Sequence, residues 1–528
     1  MLILILKLIK KMKNRKFIVT LFLTLISVVF VGQNLVEFDK SSAVENVLKG
    51  LSTDISENWA VVATPQRDIN DKKSVGGVLF YRLAEGKWNL FQEIYPNDLN
   101  ALNNFGTKVS IDGNTAVISS IGDHENGLFS GAVYVYEFNY DDQTWERIVK
   151  LKSSDAALGD KFGQSLEIKN GIIVVGALNS NGANLKTGAA YVFEKVNNEW
   201  IESSKIYADT GKSNSFFGFS ISILDSKHIA VGAYNDDGNK ERSGAVYIFK
   251  KSDNSWNQSV KIYDENGFSS DLFGYSLTSM PSLLFNNNSS KFEGILYIGA
   301  PGTNDNDLQT GAVYFYKETN SGWTNGLKLI EIDSNHNDHF GVSVSSNEYG
   351  KLIVGASRVN TDSNLNAGKV YIYDTYEGQG NSVANGIELT KDAETAYDYY
   401  GSKVVIDEEN ILISSPYSNQ NSLINSGEIY FYKLDIDNTA SANEELFTFK
   451  QNIPNSFKNS TTLEYTLKVQ AYVKIEVFDA TGRLEQVLVD EVKDFGVYNQ
   501  KFNSKSSGLY ICKITIGSFT KTIKMLAI

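Results

Sequence analysis

Cysteine is nearly absent from this chain of 528 residues. Cys512 is the only one, so no internal disulfide can form and packing alone must hold the fold together. Positive charge is also limited, because 49 Lys and Arg residues face 62 Asp and Glu, which gives a net charge of −13. A chain with this excess of acid is not expected to have nucleic acid or anionic lipid as its main partner.

Histidine and the motifs of known catalytic sites are scarce as well. The four histidines are His124, His228, His336 and His339, and only the last two are neighbours in sequence. That pair offers two metal ligands without a third, so a solvated loop is the simpler interpretation. The sequence has no nucleophile elbow, Walker loop or zinc-protease helix motif, and we therefore expect no enzyme.

Long apolar runs are confined to the N-terminus. Basic residues between Lys10 and Lys16 precede an apolar run over residues 17–31, and the small Gly32 follows it. This pattern predicts a cleaved signal peptide over residues 1–32, with Met12 as an alternative start. A retained anchor is the alternative, because residues 1–9 lengthen the apolar region. No other stretch could span a bilayer, so we expect export and no transmembrane segment after processing.

A pattern of four short apolar runs repeats along the chain. In its clearest copy, Phe162-Gly163 opens the first run, Gly176-Ala177 ends the second, Gly188 opens the third and Trp200 lies in the fourth. Apolar runs broken by Gly, Asn, Asp and Ser indicate an antiparallel four-stranded meander. The glycines that open the seven copies are Gly50, Gly106, Gly163, Gly218, Gly274, Gly341 and Gly401.

A period near 56 residues with four strands per copy predicts an all-β fold, a seven-bladed β-propeller over residues 34–435. An open solenoid is the alternative, but it would need polar caps. The seventh copy supplies only three strands, and residues 35–39 resemble the missing fourth, so the N-terminal segment is expected to complete the last blade. The fifth copy carries an insertion over residues 281–292. The tryptophan in the fourth run of copies one to five is explained by packing.

The Phe-Gly, Val-Gly-Ala and Gly-Ala-Val-Tyr elements resemble the FG-GAP repeat of integrin α-subunit propellers and their bacterial relatives. The resemblance covers residues 34–435 and implies an extracellular adhesion or ligand-binding module. Family members that bind calcium use an acidic loop between Phe-Gly and Gly-Ala, but the corresponding hairpins here lack the ligand count. The family's calcium residues are therefore not transferred to this chain.

Acidic and amide residues gather instead in the loops that follow Gly-Ala and in those that precede Phe-Gly. Turn chemistry explains many of them, since Asn and Asp bond nearby backbone amides. Two loops bring several oxygens together and are candidate calcium sites: Asn235, Asp236, Asp237, Asn304, Asp305 and Asp307. Because strands alternate in direction, both loop sets should share one acidic face. The residues expected to meet a ligand there are Asp123, Asp236, Asp305 and Asp362.

The repeat stops after Leu434, and residues 436–445 are polar and linker-like. Residues 446–528 show alternation typical of a small β-sandwich. Asp479 and Gly482-Arg483, the Ser507-Gly508-Leu509-Tyr510 element and the basic-apolar last strand resemble the type A C-terminal sorting domain of the Bacteroidetes type IX secretion system. The resemblance implies contact with that secretion machinery, passage across the outer membrane and removal of the domain. A plain adhesive sandwich is the alternative.

These observations predict a secreted or surface-attached, non-catalytic propeller that binds an extracellular protein or glycan. Two alternatives stay open: an enzyme that acts on polysaccharide at the propeller face, and a structural component of a surface layer. The sequence does not identify the ligand.

Overall fold

The computed structural model describes residues 33–35, 47–253, 255–281, 294–305, 308–319, 322–324, 326–331, 337–361, 364–375, 386–389, 391, 395–419, 422–434, 447–467, 471–479, 483–494, 496–516 and 519–528. The predicted signal peptide, almost all of the insertion at 281–292, the predicted linker, His336, Asp307 and Asp362 lie outside these residues. Across the described ranges there is no helix, which confirms the all-β prediction.

The described part of the repeat region forms seven four-stranded antiparallel sheets, an arrangement consistent with propeller blades. The N-terminal strand is β1 (Gln33–Leu35). Sheet 1 contains β2 (Thr53–Ser56), β3 (Trp59–Ala63), β4 (Val78–Ala84) and β5 (Lys87–Ile94). Sheet 2 contains β6 (Phe105–Asp112), β7 (Thr115–Ser120), β8 (Ala132–Asn139) and β9 (Thr144–Leu151). Sheet 3 contains β10 (Phe162–Lys169), β11 (Ile172–Ala177), β12 (Ala189–Val196) and β13 (Glu199–Ile206). Sheet 4 contains β14 (Ser220–Asp225), β15 (His228–Ala233), β16 (Ala245–Ser252) and β17 (Ser255–Ile262).

The remaining sheets follow the same order with small additions. Sheet 5 contains β18 (Ser276–Pro281), β19 (Gly294–Ala300), β22 (Ala312–Tyr316) and β25 (Leu327–Leu329), and between them lie two short hairpins: β20 (Asn304–Asp305) with β21 (Leu308–Gln309), and β23 (Glu318–Thr319) with β24 (Gly322–Trp323). Sheet 6 contains β26 (Phe340–Ser346), β27 (Lys351–Ala356), β28 (Lys369–Asp374) and β29 (Ile387–Leu389). Sheet 7 contains β30 (Lys403–Asp407), β31 (Asn410–Ser415), β32 (Glu428–Leu434) and β1.

Burial changes from the middle to the edge of each sheet. In sheet 3, every residue of β11 is buried, because both faces of this strand are covered by neighbouring sheets. The fourth strand, β13, is mostly half-buried or exposed. Its Trp200 packs into the core shared with sheet 2, as expected for a packing residue, and Trp145 of sheet 2 stacks on Phe80 of sheet 1 at 4.6 Å. The apolar core therefore lies between successive sheets.

The two repeated glycine motifs meet where one sheet contacts the next. The amide of Phe162, which opens sheet 3, donates to Ser130 O of sheet 2 at 3.0 Å, and Gly131 lies directly against the Phe162 backbone. A Cβ on Gly131 would be 2.1 Å from Phe162 O, and its φ of 85° also favours glycine. Phe162 in turn packs edge-on against Tyr191, the tyrosine of the next Gly-Ala element. The motifs are thus contact residues between sheets.

Sheet 7 is assembled from both ends of the repeat region. β1 pairs antiparallel with β32, and Gln33 lies opposite Leu434. The expected N-terminal strand is therefore present at this edge, but over Gln33–Leu35; residues 36–38 are not among the described residues. Sheet 7 also contacts sheet 1, where Gly427 lies against the backbone of Lys49. Lys49 occupies the place that phenylalanine has in most other copies.

Residues 447–528 form two further sheets. One contains β33 (Phe447–Phe449), β34 (Ser460–Leu467) and β37 (Gly496–Asn503). The other contains β35 (Ala471–Asp479), β36 (Leu484–Lys493), β38 (Gly508–Ile516) and β39 (Phe519–Ala527). Both contribute to a single core, in which Leu463, Ile475 and the free Cys512 are fully buried. Tyr349 of the repeat region packs against that core.

Candidate binding sites on the loop face and in the central channel

The loop that joins strand two to strand three of a sheet meets the loop that leads into the first strand of the same sheet. Asn179 Nδ2, after β11, donates to Gly159 O before β10 at 2.9 Å. Asn235 Nδ2, after β15, donates to Asn214 O at 2.7 Å. The two loop sets therefore share one surface, as expected, which we term the loop face. The opposite surface carries the hairpins that join strands one to two and three to four.

A carboxylate, a lysine and a tyrosine recur together beneath the loop face. Asp236 accepts hydrogen bonds from Tyr247 Oη at 2.9 Å and from Lys261 Nζ at 2.6 Å, and the Lys261 ammonium lies 5.5 Å from the Tyr247 ring centre. In sheet 3, Asp155 accepts in the same way from Tyr191 and Lys205. Each lysine comes from strand four and each tyrosine from strand three. These loop acids therefore fasten the loops to the sheets.

The expected ligand-contacting role of Asp123 and Asp236 is not supported by their placement. Each is only 4% exposed. Asp123 forms an ion pair of 2.8 Å with Lys150, which lies over the Tyr134 ring. Because Asp is common in exposed turns, we expected these carboxylates to be exposed. They are buried instead, and the cost of burying each charge is offset by an ion pair with a lysine of the fourth strand. Asp123 and Asp236 therefore add little exposed negative charge to the loop face.

The first candidate calcium loop does not fit a calcium shell. Both carboxylate oxygens of Asp236 are already occupied. Asp237 is bonded to Lys212 and to the amide of Arg242, and Asn235 Oδ1 accepts from Arg242 Nε at 2.8 Å. A Ca²⁺ ion needs six to eight oxygen ligands, and the oxygens named here already accept hydrogen bonds from lysine, arginine and tyrosine residues. We derive no calcium site from it.

The second candidate loop is a tight hairpin. Asn304 pairs with Gln309 and Asp305 with Leu308 through the backbone, and Asn304 O accepts from Lys328 Nζ at 3.3 Å. Asp307 lies outside the described residues, as does Asp362 of the expected ligand face. Within the described ranges, no group of three or more His, Cys, Asp or Glu side chains could hold a metal ion. Calcium binding by this second loop stays a prediction.

Aromatic rings gather on the loop face between sheets 4 and 5. The rings of Phe219 and Tyr234 are 4.4 Å apart, those of Phe219 and Tyr275 are 4.9 Å apart, and Phe216 lies 5.6 Å from Tyr234. All four rings are partly exposed. We term Phe216, Phe219, Tyr234 and Tyr275 the aromatic cluster.

A cation accompanies the aromatic cluster. Arg358 is exposed and lies close to Tyr275. Burial raises the pKa of Tyr275, and the positive charge of Arg358 partly offsets this rise. No described carboxylate forms an ion pair with its guanidinium. Burial, with a contribution from Arg358, lowers the pKa of His339 to about 4, so this histidine is neutral at physiological pH. Aromatic rings beside an exposed arginine can stack on a planar or apolar ligand surface, and the arginine can bind an acceptor group.

A channel of about 290 Å³ is lined by the first strands of all seven sheets. Side chains there link each sheet to the next: Asp54 accepts from Ile111 N at 3.0 Å and Glu167 from Ile223 N at 3.0 Å. From sheet 7 to sheet 1, Asp407 accepts from the Glu57 amide at 2.6 Å. First strands are sheet edges, so these side chains satisfy amides that have no strand partner.

Burial raises the pKa of three carboxyls in the channel, Glu167, Asp54 and Asp407. Glu167 reaches a pKa of about 7, and that of Asp54 is raised even though Lys403 and three hydrogen-bond donors oppose the shift. Carboxylates and lysines therefore line the channel, and no histidine or arginine is among its lining residues.

His228 lies outside the channel lining. It is 2% exposed and bonded to Asp225 at 2.9 Å, which gives it a structural role.

Comparison with known proteins assigns the repeat. A model of the FG-GAP repeat matches residues 88–136, 145–193, 200–249 and 323–373. The chain carries FG-GAP repeats. The solved structure of Saccharomyces cerevisiae Sqt1 is similar over 94% of this chain and 100% of that chain, with 10% identity and a TM-score of 0.41, and we draw no conclusion from it. No curated protein matches the chain.

The FG-GAP repeats are offset from the sheets by one strand. The match over residues 145–193 begins at Trp145 in the fourth strand of sheet 2 and ends at Phe193 in the third strand of sheet 3. Each such repeat therefore spans two sheets, and the contact of Gly131 with Phe162 joins one repeat to the next. Among the described residues, no helix is long and apolar enough to cross a membrane.

Sequence reasoning missed the aromatic cluster and the channel residues. Aligning the FG-GAP repeats on their Phe-Gly glycine would have shown Phe219 and Tyr275 one residue after it, and Asp54 and Glu167 four residues after it. These positions after the glycine, compared between the copies, are the sequence signal for both sites.

Proposed function

We propose that the seven sheets are the blades of a closed seven-bladed β-propeller over residues 34–435, followed by a C-terminal β-sandwich. Three observations support closure. β1 completes the sheet at the C-terminal end of the repeat region, Asp407 bonds the first strand of sheet 7 to sheet 1, and one channel is lined by all seven first strands. The single core shared by the last two sheets supports the sandwich.

We further propose that the protein is exported and binds an extracellular protein or glycan, without catalysis, through its loop face. The observation that carries this proposal is the aromatic cluster with Arg358 beside it, which forms no ion pair with any carboxylate that the structure describes. Aromatic side chains and arginine are the residue types that contribute most to recognition surfaces, because they provide a large contact area together with hydrogen-bond donors. FG-GAP propellers are typically binding modules, which agrees with this assignment.

The sheets beneath the cluster suit it to recognition. Phe219 and Tyr275 directly follow glycines that are packed between sheets, and their neighbours Phe217 and Phe273 are at most 1% exposed. Residues anchored in this way hold their rings in place before a ligand arrives, so little conformational entropy is lost on binding. Loops on a rigid scaffold are where binding residues concentrate.

Binding is tested by screening the full chain against glycan and extracellular-protein arrays. A double variant, F219A/Y275A, should weaken binding of any hit by at least about tenfold, because two stacking contacts are lost. The matched control is Tyr140→Ala, which removes a ring that is 66% exposed on the opposite face. Equal binding by the wild type and the double variant, with loss in the control, would assign the ligand to the hairpin surface.

We propose that residues 446–528 act as a removable sorting domain of the type IX secretion route. The motifs behind the resemblance make local contacts: Asp479 accepts from the amide of Arg483 at 3.0 Å, and Tyr510 Oη donates to Ser506 O at 3.0 Å. These contacts fix local conformations that the secretion machinery could recognise. Mass spectrometry of the protein recovered outside the cell should find no peptide beyond residue 445. Recovery of intact protein that ends at Ile528 would contradict this maturation.

A further inference from the structure

The loop-face ends of the seven first strands share one backbone geometry. In every sheet the residue two before the Phe-Gly glycine has a positive φ, between 50° and 61°. The amide of the residue after the glycine donates back to its carbonyl, as Phe219 N does to Phe216 O at 3.2 Å. The second residue after Gly-Ala reaches the same turn, as Arg358 N does to Asp338 O at 3.2 Å. We term these three positions, with the first residue after Gly-Ala, the rim positions, and their residues can be compared between sheets.

Phe and Tyr occupy rim positions in sheets 4, 5 and 7 alone: Phe216, Phe219, Tyr234, Tyr275, Tyr399 and Tyr417. The two rim positions beside the Phe-Gly glycine hold no aromatic residue in sheets 1 to 3: Leu48, Leu51, Asn104, Thr107, Lys161 and Gln164. Asparagine tolerates a positive φ better than a bulky side chain does, so the backbone does not select Phe216 or Tyr399. Since the same turn forms without these rings, the fold does not require them.

The aromatic rim residues lie along one side of the loop face. Hydrogen bonds join the beginnings of the first strands of sheets 4 to 7: Ser220 Oγ donates to Gly274 O at 2.6 Å, Ser276 Oγ to Gly341 O at 2.8 Å, and Val404 N to Ser343 Oγ at 3.1 Å. The neighbouring rim residues therefore follow one another in sheet order. The aromatic cluster is at one end, and the rings of Tyr399 and Tyr417, 5.3 Å apart, are at the other. We term these six aromatic rim residues the aromatic arc.

Two arginines flank the aromatic cluster. Arg242 Nε donates to Asn235 Oδ1 at 2.8 Å, and Asn235 directly follows Tyr234 in the chain. Arg358 comes from sheet 6, on the other side of Tyr275. Both arginines are exposed, and neither forms an ion pair with a carboxylate that the structure describes. No Asp or Glu occupies a rim position in any copy. Although the sequence predicted an acidic face, the charge beside the rings is positive.

The chemistry of the aromatic arc suits a saccharide better than a peptide. The hydroxyls of Tyr234, Tyr275, Tyr399 and Tyr417 form no hydrogen bond with any described residue, so they can pair with ligand hydroxyls. The electron-rich face of an aromatic ring packs against the C–H groups of a sugar ring. A peptide is usually held by a pocket for an apolar anchor or by an unpaired strand edge. The cavity beside the arc is the channel, which is lined by polar and acidic side chains.

We propose that the loop face binds a saccharide chain that carries carboxylate groups, with its sugar rings on the aromatic arc and its carboxylates on Arg242 and Arg358. This inference rests on the proposed function and names its ligand class. A guanidinium donates two parallel hydrogen bonds to a carboxylate, which fixes the orientation of the ligand as well as its charge. The net charge of −13 opposes an anionic ligand at long range, but physiological salt screens exposed charges beyond about 8 Å. The two arginines next to the rings therefore dominate the local interaction.

The ligand class is tested by calorimetric titration of the full chain with short oligosaccharides of galacturonic acid, of alginate and of hyaluronan. A neutral maltodextrin of matched length and poly-glutamate are the comparison ligands. At least one acidic oligosaccharide should bind saturably, at least about tenfold tighter than either comparison ligand, and its affinity should fall as salt rises. Absence of binding for all three, or equal affinity for the maltodextrin, would overturn the proposal. Tighter binding of poly-glutamate would identify an acidic protein as the ligand instead.

Variants taken from other copies of the repeat locate the carboxylate contacts. Arg242→Asn introduces the residue found at this position in sheets 6 and 7, where Asn366 and Asn425 also have a positive φ, so folding should be preserved. Arg358→Gln introduces the residue of sheet 1, Gln66. Each change should weaken binding of the acidic oligosaccharide at least about tenfold.

Lys186→Asn is the matched control, because Lys186 is an exposed cation at the position of Arg242 but in sheet 3, outside the aromatic arc. Its Kd should equal that of the wild type. An equal loss in this control would show that binding follows net charge rather than the arc. Unaltered binding in both arginine variants would also overturn the proposal.

The double variants separate this inference from the proposed function. If a ligand from the arrays loses affinity in F219A/Y275A but binds R242N/R358Q as tightly as the wild type, recognition by the loop face stands and the carboxylate class is wrong. If an acidic oligosaccharide binds F219A/Y275A as tightly as the wild type, the loop face is not its site. The proposed function then fails together with this inference.

Discussion

Replacement of Gly131 by alanine should destabilise the protein through the contact between sheets 2 and 3. The new Cβ would lie 2.1 Å from Phe162 O and 2.7 Å from Phe162 N, which are backbone atoms that cannot rotate away. The φ of 85° adds the strain of a left-handed conformation, about 1–2 kcal/mol. Overpacking of a buried contact adds about 1–3 kcal/mol. The expected loss in unfolding free energy is therefore about 2–5 kcal/mol.

Gly171→Ala is the matched control for this variant. Gly171 also has a positive φ, 74°, but it lies in the hairpin after β10 and a Cβ there would meet nothing within 4 Å. It should lose only the conformational part, about 1–2 kcal/mol. Urea unfolding followed by tryptophan fluorescence gives both values. Equal losses in the two variants would refute the close approach of Gly131 to Phe162 and, with it, the explanation of the glycine motif.

Three further outcomes follow from the channel, the sheet 7 edge and the loop acids. Burial raises the pKa of Glu167 from 4.5 to about 7, so the folded state binds this proton more tightly than the unfolded state and stability falls as pH rises through that window; Glu167→Gln should remove this slope in melts from pH 4 to 8, and an unchanged slope would exclude Glu167 as its source. Deletion of residues Gln33–Leu35 exposes the β32 edge and should lower the Tm or produce aggregates in size-exclusion chromatography, whereas an unaltered monomer with the same Tm would contradict the pairing. Asp236→Asn should lower stability by about 1–2 kcal/mol and Asp237→Asn by less than about 0.5 kcal/mol in the same melt, because the Asp236 carboxylate is buried whereas Asp237 is partly exposed; equal effects would argue against that difference.

The sheets could be predicted from sequence because their signals are local. Phe-Gly, Gly-Ala and the closing tryptophan each mark one strand, and the run from Phe162 to Trp200 corresponds to the four strands of sheet 3. The glycines are required by backbone contacts that recur with every copy, so the number of copies could be counted from the sequence. The displaced strand β1 was also predictable, since the last copy lacked a strand.

The chemistry of the surfaces was harder to predict because it depends on residues far apart in the chain. Loop composition showed Asp236 among turn residues, but not that Tyr247 and Lys261 would converge on it and bury it. The aromatic cluster joins residues from 216 to 275, and the Glu57 amide bonds to Asp407 across 350 positions of sequence. Such pairs become neighbours only after the sheets are arranged around a common channel.

The pairing of β1 with β32 has a kinetic consequence. Gln33 and Leu434 are opposite each other in one sheet, so this contact joins positions that are about as far apart as the repeat region permits. Non-local contacts form late, since the entropy of closing a long chain segment must be overcome before the contact contributes. A chain still emerging from the ribosome or crossing a membrane cannot make this contact before residue 434 is available. Sheet 7 can therefore be completed only when the whole repeat region is present in one compartment.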